Sequence, residues 1–254
     1  MRQIIRKALQ SLGYDIIKLK DTKTNNGLPV DMEPAFIQLY EQCKPYTMTS
    51  PERAYSLFKA VEYVIKNNIS GDFVECGVWR GGSSMMIALT LKHFNVTNRQ
   101  LYLYDTFEGM TEPTEHDKRF DGMTAETELA QSDKNIATSV WCVADLNDVQ
   151  QNMKRTAYPT ENLHFIQGKV EDTIPEVLPA SIALLRLDTD WYASTYHELV
   201  HLYPNLQKNA PLIIDDYGHW QGAREAVDTY FKEQNLTVLL NRIDYTGRIM
   251  LKTN

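Results

Sequence analysis

The chain has 254 residues, enough for one sizeable domain with a terminal extension. Hydrophobic residues make up 43% and aromatic residues 10%, which supplies a core and excludes general disorder. The net charge of -7, with no basic run, excludes an extended nucleic-acid footprint, because phosphate contacts need clustered Lys and Arg.

In chain order, residues 2–12 place Ile4, Ile5, Ala8, Leu9 and Leu12 on one helical face. Such a face suits a membrane surface, a partner, the chain's own domain or a sister subunit. The short stripe without Trp or Phe favours packing on protein, and it makes a homo-oligomer an expectation. Arg6, Lys7 and Gln10 interrupt any signal-peptide core, and no stretch approaches the roughly 18 apolar residues of a membrane span. Cys43, Cys76 and Cys142 lie too far apart for a CxxC motif, and their odd number favours a reducing compartment, so a cytoplasmic protein is expected. Asp21–Gly27 reads as a linker.

Ser50-Pro51-Glu52 reads as a helix start, with an N-cap, a proline at the first helical position and an acid in the first turn. That helix is expected to run to about Asn68. Short apolar strands then alternate with helices: strands at 73–76, 101–104, 163–166, 182–185 and 212–214, helices at 83–94, 192–206 and 222–232. Residues 108–140 are polar and acid-rich and read as a partly helical insertion or lid. Two strands, 237–240 and 248–251, close the chain without a helix between them and must pair as a hairpin or near-hairpin. The expected fold is α/β, a doubly wound, mostly parallel sheet of seven strands covered by helices on both faces.

Acidic residues fall at the carboxyl ends of these strands: Glu75, Asp105, Asp188, Asp190, Asp215 and Asp216. In an open parallel sheet that is where ligands bind. So many carboxylates in one crevice repel each other, so a cationic ligand or a metal ion is needed among them. The first strand runs into Glu75-Cys-Gly77-Val-Trp-Arg-Gly81-Gly82-Ser83, an ExGxxxGG turn that differs from the GxGxxG of a dinucleotide fold. Asp105 is placed to accept two ribose hydroxyls, or else is an ordinary loop acid at a tight turn. Asp188-Thr-Asp190 and Asp215-Asp216 offer hard oxygen ligands for Mg²⁺ or Mn²⁺, with Arg186 as a partner for one acid. The bland alternative is helix capping, for instance by Asp190 ahead of the helix at Tyr192.

The segments GDFVECGVWRGGSS, LYLYDTFEGM, LLRLDTDWYAST and IIDDYGHWQGAREAVDTYF resemble the macrocin O-methyltransferase family over roughly residues 46–251. The resemblance implies a class I, Rossmann-like methyltransferase fold over residues 51–254, with residues 1–50 a helical extension and cofactor-covering segment. It implies S-adenosylmethionine and Mg²⁺ as cofactors and a glycosylated small molecule as acceptor. Residue by residue, it places Glu75, Gly77, Val78, Gly81 and Ser83 at the methionine end of the cofactor, and Asp105, Thr106 and Phe107 at its ribose. Gly168, Lys169 and Val170 fall near the adenine, and Thr47 and Met48 in the covering segment. Asp190, Asp215 and Asp216 match metal ligands, and Asp188, also beside the cofactor, matches a general base. His219 is a rival base or a rim residue, and Tyr217, Trp191, Tyr192 and Trp220 form either an aromatic wall or ordinary packing. The competing readings are a catechol-type methyltransferase, a noncatalytic cofactor-binding protein and a nicotinamide-dependent oxidoreductase.

Overall fold

A computed structural model describes residues 27–136 and 138–253. The helix expected over 2–12 and nearly all of the 21–27 linker lie outside them. The chain divides into two compact units, Met1–Pro34 and Ala35–Asn254. Of the first, residues 27–34 form a short turn in which Met32 N donates to Pro29 O at 3.2 Å.

Strands β1 (Asp72–Cys76), β2 (Leu101–Asp105), β3 (Leu163–Gln167), β4 (Ile182–Leu187), β5 (Pro211–Ile214), β6 (Asn241–Arg242) and β7 (Arg248–Leu251) form one sheet in the order β3-β2-β1-β4-β5-β7-β6. The first five pair in parallel and β7 runs antiparallel between β5 and β6. The order reverses between β1 and β4, which opens the crevice where parallel sheets bind ligands. β4 runs Ile-Ala-Leu-Leu with every residue fully buried, as a strand covered on both faces requires. Its next residue, Arg186, is equally buried and carries a charge.

The helices are α1 (Pro34–Cys43), α2 (Pro51–Lys66), α3 (Gly82–His93), α4 (Ala125–Gln131), α5 (Leu146–Arg155), α6 (Val170–Thr173), α7 (Tyr192–Leu202) and α8 (Gln221–Glu233). α2 packs on α3, α5 also on α3, and α7 packs on α8. α2 begins where the sequence indicates, with Ser50 Oγ accepting from Arg53 N at 3.1 Å and Pro51 in the first turn. α7 stops at Leu202, short of the expected 206, because Pro204 cannot supply the helical N–H and the chain tightens into a 3-10 turn. α1 and α5 are helices the sequence reading passed over. α5 nonetheless carries a local signal, Asp145 capping Asp148 N at 2.8 Å.

The edge strand differs from expectation. Residues 237–240 are not a strand, and β6 is Asn241–Arg242 instead. The pairing is set by the turn that follows: Asp244 Oδ1 accepts from Thr246 N at 2.9 Å and Gly247 N at 2.8 Å, so the ladder closes right beside it. Leu239 is 76% exposed, so its apolar character marks no core position. Among the described residues, no helix is long and apolar enough to cross a membrane.

Candidate functional site

The carboxyl ends of β1, β2, β4 and β5 surround a cavity of about 330 Å³. One wall is the glycine turn between β1 and α3. Gly77 at φ +81°, Trp79 at +47° and Gly81 at +89° alternate left-handed conformations that bring the backbone to the cavity's edge. A Cβ on Gly82 would stand 2.5 Å from Tyr46 O and 2.6 Å from Thr47 Cβ, so the Tyr46–Thr49 segment lies directly on this turn. Thr47, Met48, Gly77, Val78, Ser83, Asp105, Thr106, Gly168, Lys169 and Val170 all line the cavity, as do Asp188, Asp190, Asp215, Asp216 and His219.

Three expected cofactor residues do not line it. Glu75 is 2% exposed, and each of its oxygens has a protein donor: Arg186 Nη1 donates to Oε1 at 2.6 Å and Ser84 Oγ donates to Oε2. Gly81 caps α3, and Phe107 is buried with its N–H on Asp105 Oδ1 at 2.7 Å. Asp105 itself accepts from Val78 N at 2.6 Å, Trp79 N at 3.0 Å and Phe107 N. Three of a carboxylate's roughly four acceptor positions are taken, so it clamps the glycine turn and has room for one further hydroxyl rather than two.

The opposite wall is acidic. Asp188, Asp215 and Asp216 bring one ligand oxygen each within 4.8 Å of one another. Asp190 stands beside this group, at φ +66°, its Oδ1 accepting from Trp220 Nε1 at 2.8 Å. Burial, with Asp215 and Asp216 alongside, pushes the Asp188 carboxyl well above the usual range, against the pull of Arg186. Burial and the Asp190 and Asp215 charges do the same to Asp216, and burial with the Asp188 charge takes Asp190 to about 8. Asp216 Oδ2 is buried with no hydrogen-bond donor. A divalent ion would offset the negative charge gathered here, and the buried, donor-less Asp216 Oδ2 suits one of its ligand positions.

Two arginines neutralise the rest. Arg186 reaches Glu75, then Asp188 Oδ2 at 2.7 Å and Asp215 Oδ1 at 2.7 Å. Arg53 pairs with the other oxygen of Asp215 and, at 3.1 Å, with Asp244. The chain of alternating charge therefore runs from the β6–β7 hairpin to β1. Arg53 and Asp244 were invisible in sequence, since nothing local ties residue 53 to residues 215 and 244.

The 108–140 region packs on this wall through Ala125 and Leu129 of α4, which join Trp191, Trp220 and Ala223 in a small core flanked by Met110, Val140 and Trp141. Trp191 is therefore packing, while Trp220 faces the cavity as well. The cap of α7 is not Asp190 but the fully buried Asp117, whose Oδ1 accepts from Tyr192 N at 2.8 Å while Oδ2 accepts from Thr114 N at 2.7 Å and Thr114 Oγ at 2.9 Å. Asp117→Ala is expected to cost about 2–4 kcal/mol in urea denaturation, from the lost cap and the buried donors left bare; a cost below about 1 kcal/mol would show that the staple is dispensable. His219 lines the cavity, its Nδ1 3.3 Å from Tyr245 Oη, and burial lowers its pKa.

The macrocin-O-methyltransferase (TylF) family model matches residues 40–252. The chain is 32% identical over 202 residues to a demethyldecarbamoylnovobiocin O-methyltransferase of Streptomyces niveus, covering 80% of this chain and 74% of that protein. It is 31% identical over 244 residues to the 8-demethyl-8-(2,3-dimethoxy-alpha-L-rhamnosyl)-tetracenomycin-C 4'-O-methyltransferase of Streptomyces olivaceus, with 96% and 89% covered. Among solved structures, the O-methyltransferase NovP superposes with a TM-score of 0.72 at 30% identity, over 82% of this chain and 83% of that one. Matching family, glycine turn and strand-end acids together, this chain belongs to the macrocin O-methyltransferase family and is an O-methyltransferase.

Proposed function

We propose that this enzyme transfers a methyl group from S-adenosylmethionine to a sugar hydroxyl of a glycosylated natural product, assisted by Mg²⁺ or Mn²⁺. The observation that carries the reading is the Asp188–Asp215–Asp216 group, with its unpartnered Asp216 Oδ2, facing the glycine turn across one cavity. The two curated relatives bear the names of natural-product O-methyltransferases, one acting on a rhamnosyl compound, which supports a glycosylated acceptor.

The residues suit the cofactor. Gly77 and Gly82 let the turn pack closely on the Asp188 and Tyr46 backbone, which shapes this wall, and Trp79 Nε1, buried without a partner, offers a donor beside it. Gly77, Val78 and Ser83 would hold the methionine end, Asp105 one ribose hydroxyl, and Gly168–Val170 the adenine, under Thr47 and Met48. Bound there, S-adenosylmethionine supplies an electrophilic methyl group. A divalent ion on Asp188, Asp215 and Asp216 would acidify and orient the acceptor hydroxyl. This grouping exchanges the roles of Asp188 and Asp190 that the family resemblance suggests: Asp188 sits among the ligands, and Asp190 is the free acid beside them.

Asp190 accepts the hydroxyl proton, its direction fixed by Trp220. Arg186 keeps Asp188 and Asp215 aimed into the cavity, and closure by the Thr47–Thr49 segment excludes water.

Calorimetric titration with S-adenosylmethionine, with and without Mg²⁺, tests both sites. Binding is expected in each case, with metal heat that disappears in Asp216→Ala. Asp190→Asn should keep both binding signals and lose about 10²–10⁴-fold in turnover of a glycoside acceptor. Full turnover in that variant would return the base to Asp188 or His219. No cofactor binding under any condition would favour the noncatalytic or oxidoreductase readings, and turnover of catechols alone would favour the catechol-type reading.

A further inference from the structure

Glu198 lies in the middle of α7, on the face that also buries Ser194, Thr195, Leu199 and Leu202. Its side chain is fully shielded from solvent, and among the described residues no cation pairs with it. Burial, with the Glu171 and Asp188 charges nearby, raises its carboxyl well above the usual range. Oε1 accepts from Thr189 Oγ1 at 2.9 Å, whereas Oε2 is buried with no N–H or O–H donor. A helix that only packs on a sheet has no use for such a group. Burying a carboxyl without a cation is costly, and leucine in its place would add apolar contact instead.

Its partner accounts for it. Thr189 lines the cavity between Asp188 and Asp190, in the turn from β4 to α7. The backbone of that turn is tied down: Asp188 N donates to Cys76 O at 2.8 Å, and Thr189 O accepts from Trp191 N at 2.7 Å and from Ser194 Oγ at 3.3 Å. The Thr189 side chain has a single tie among the described residues, the one to Glu198. Threonine is β-branched, so a fixed Oγ1 fixes the whole side chain and restrains the rotation of residue 189 in the turn. That residue is the pivot between two acids with different partners. Asp188 meets Arg186 and stands among Asp215 and Asp216, while Asp190, at φ +66°, meets the Trp220 indole. Released from α7, the pivot can turn and carry Asp188 away from the other two acids.

We infer that Glu198 is a positioning residue of this site: through Thr189 it anchors the β4–α7 turn and so holds Asp188 in place for a divalent ion. The inference rests on the metal-assisted reading of the acid cluster and adds the residue behind the cluster that sets its geometry. What acts is the accepting oxygen, because Thr189 is the donor. Glutamine keeps that oxygen and nearly the same shape, leucine keeps only the volume, and valine at 189 removes the donor alone. Outer partners of this kind govern metal affinity without touching the ion.

The test is calorimetric titration of the full-length protein with S-adenosylhomocysteine, and then of that complex with Mn²⁺. Thr189→Val and Glu198→Leu should each bind Mn²⁺ at least about tenfold more weakly than wild type, with S-adenosylhomocysteine affinity unchanged. Glu198→Gln should match wild type for both ligands. The double variant Thr189→Val/Glu198→Leu should bind Mn²⁺ no more weakly than either single one, since both remove the same hydrogen bond. A merely structural role would lower the melting temperature without separating the two affinities. Wild-type Mn²⁺ affinity in Thr189→Val overturns the inference, as does a Glu198→Gln variant as weak as Glu198→Leu, or additive losses in the double variant. Should Glu198→Leu fail to fold, Thr189→Val and Glu198→Gln decide the matter, because both preserve volume. Wild-type protein that binds S-adenosylhomocysteine but no Mn²⁺ overturns the metal-assisted reading and this inference with it, and binding of neither overturns the methyl-transfer reading as well.

Discussion

Replacing Arg186 by methionine is expected to cost about 3–5 kcal/mol of folding stability at neutral pH, the penalty of removing one partner from a buried ion network. The side chain is 2% exposed and its guanidinium holds Glu75, Asp188 and Asp215 at 2.6–2.7 Å. Methionine fills similar volume, so packing is nearly preserved and the measured loss reports charge. Asp215 keeps Arg53 in the variant, whereas Glu75 keeps only the Ser84 hydroxyl in a fully buried setting. Adding Glu75→Gln should therefore recover part of the loss, and a double-mutant cycle in urea isolates the pair. A single-variant cost below about 1 kcal/mol would mean that the acids take up protons freely and that Arg186 is not what keeps the site charged. The metal response separates fold from function: with Asp188 and Asp215 no longer aimed, Mg²⁺ heat should weaken even in the folded fraction.

The placement of that arginine shows where sequence reading succeeds and where it stops. The strand-end acids were legible because the strand–helix alternation puts them on one edge whatever the long-range contacts are. The ExGxxxGG turn was legible for the same reason, since glycine reports a backbone need that is local. Roles within the acid group were not. Asp188 and Asp190 are two residues apart, and the exchange of their roles that we propose rests on the left-handed turn at Asp190 and on the indole of Trp220, thirty residues later. Asp105 looked free to take two ribose hydroxyls because nothing in the sequence says that three backbone N–H groups will occupy most of its acceptor positions. Asp117 looked like one more acid in a polar insertion, although its partner is the helix that begins at Tyr192. Charges whose partners are distant in sequence are the ones that pattern reading misses, and the site is built largely of such pairs.

Gly77→Ala is the second change with a large expected effect, and it tests the crevice itself. At φ +81° an alanine meets the left-handed penalty of about 1–2 kcal/mol. The added Cβ would also stand 1.9 Å from Asp188 O, a backbone atom with little room to give. Asp188 N is in turn tied to Cys76 O at 2.8 Å and Gly77 N to Tyr104 O at 2.9 Å, so any retreat opens β1 from β4 at the ends that carry the site. The combined cost should reach about 4 kcal/mol or more, a fall in melting temperature of roughly 8–16 °C for a domain of this size. Gly122→Ala is the control: its φ is +92° but nothing lies within 4 Å of the new Cβ, so only the backbone penalty should appear. Equal losses in the two variants would reduce Gly77 to a conformational requirement. A much larger loss at Gly77, with cofactor affinity falling in step, would locate the tight β1–β4 approach as the feature on which both the cofactor wall and the acid wall depend.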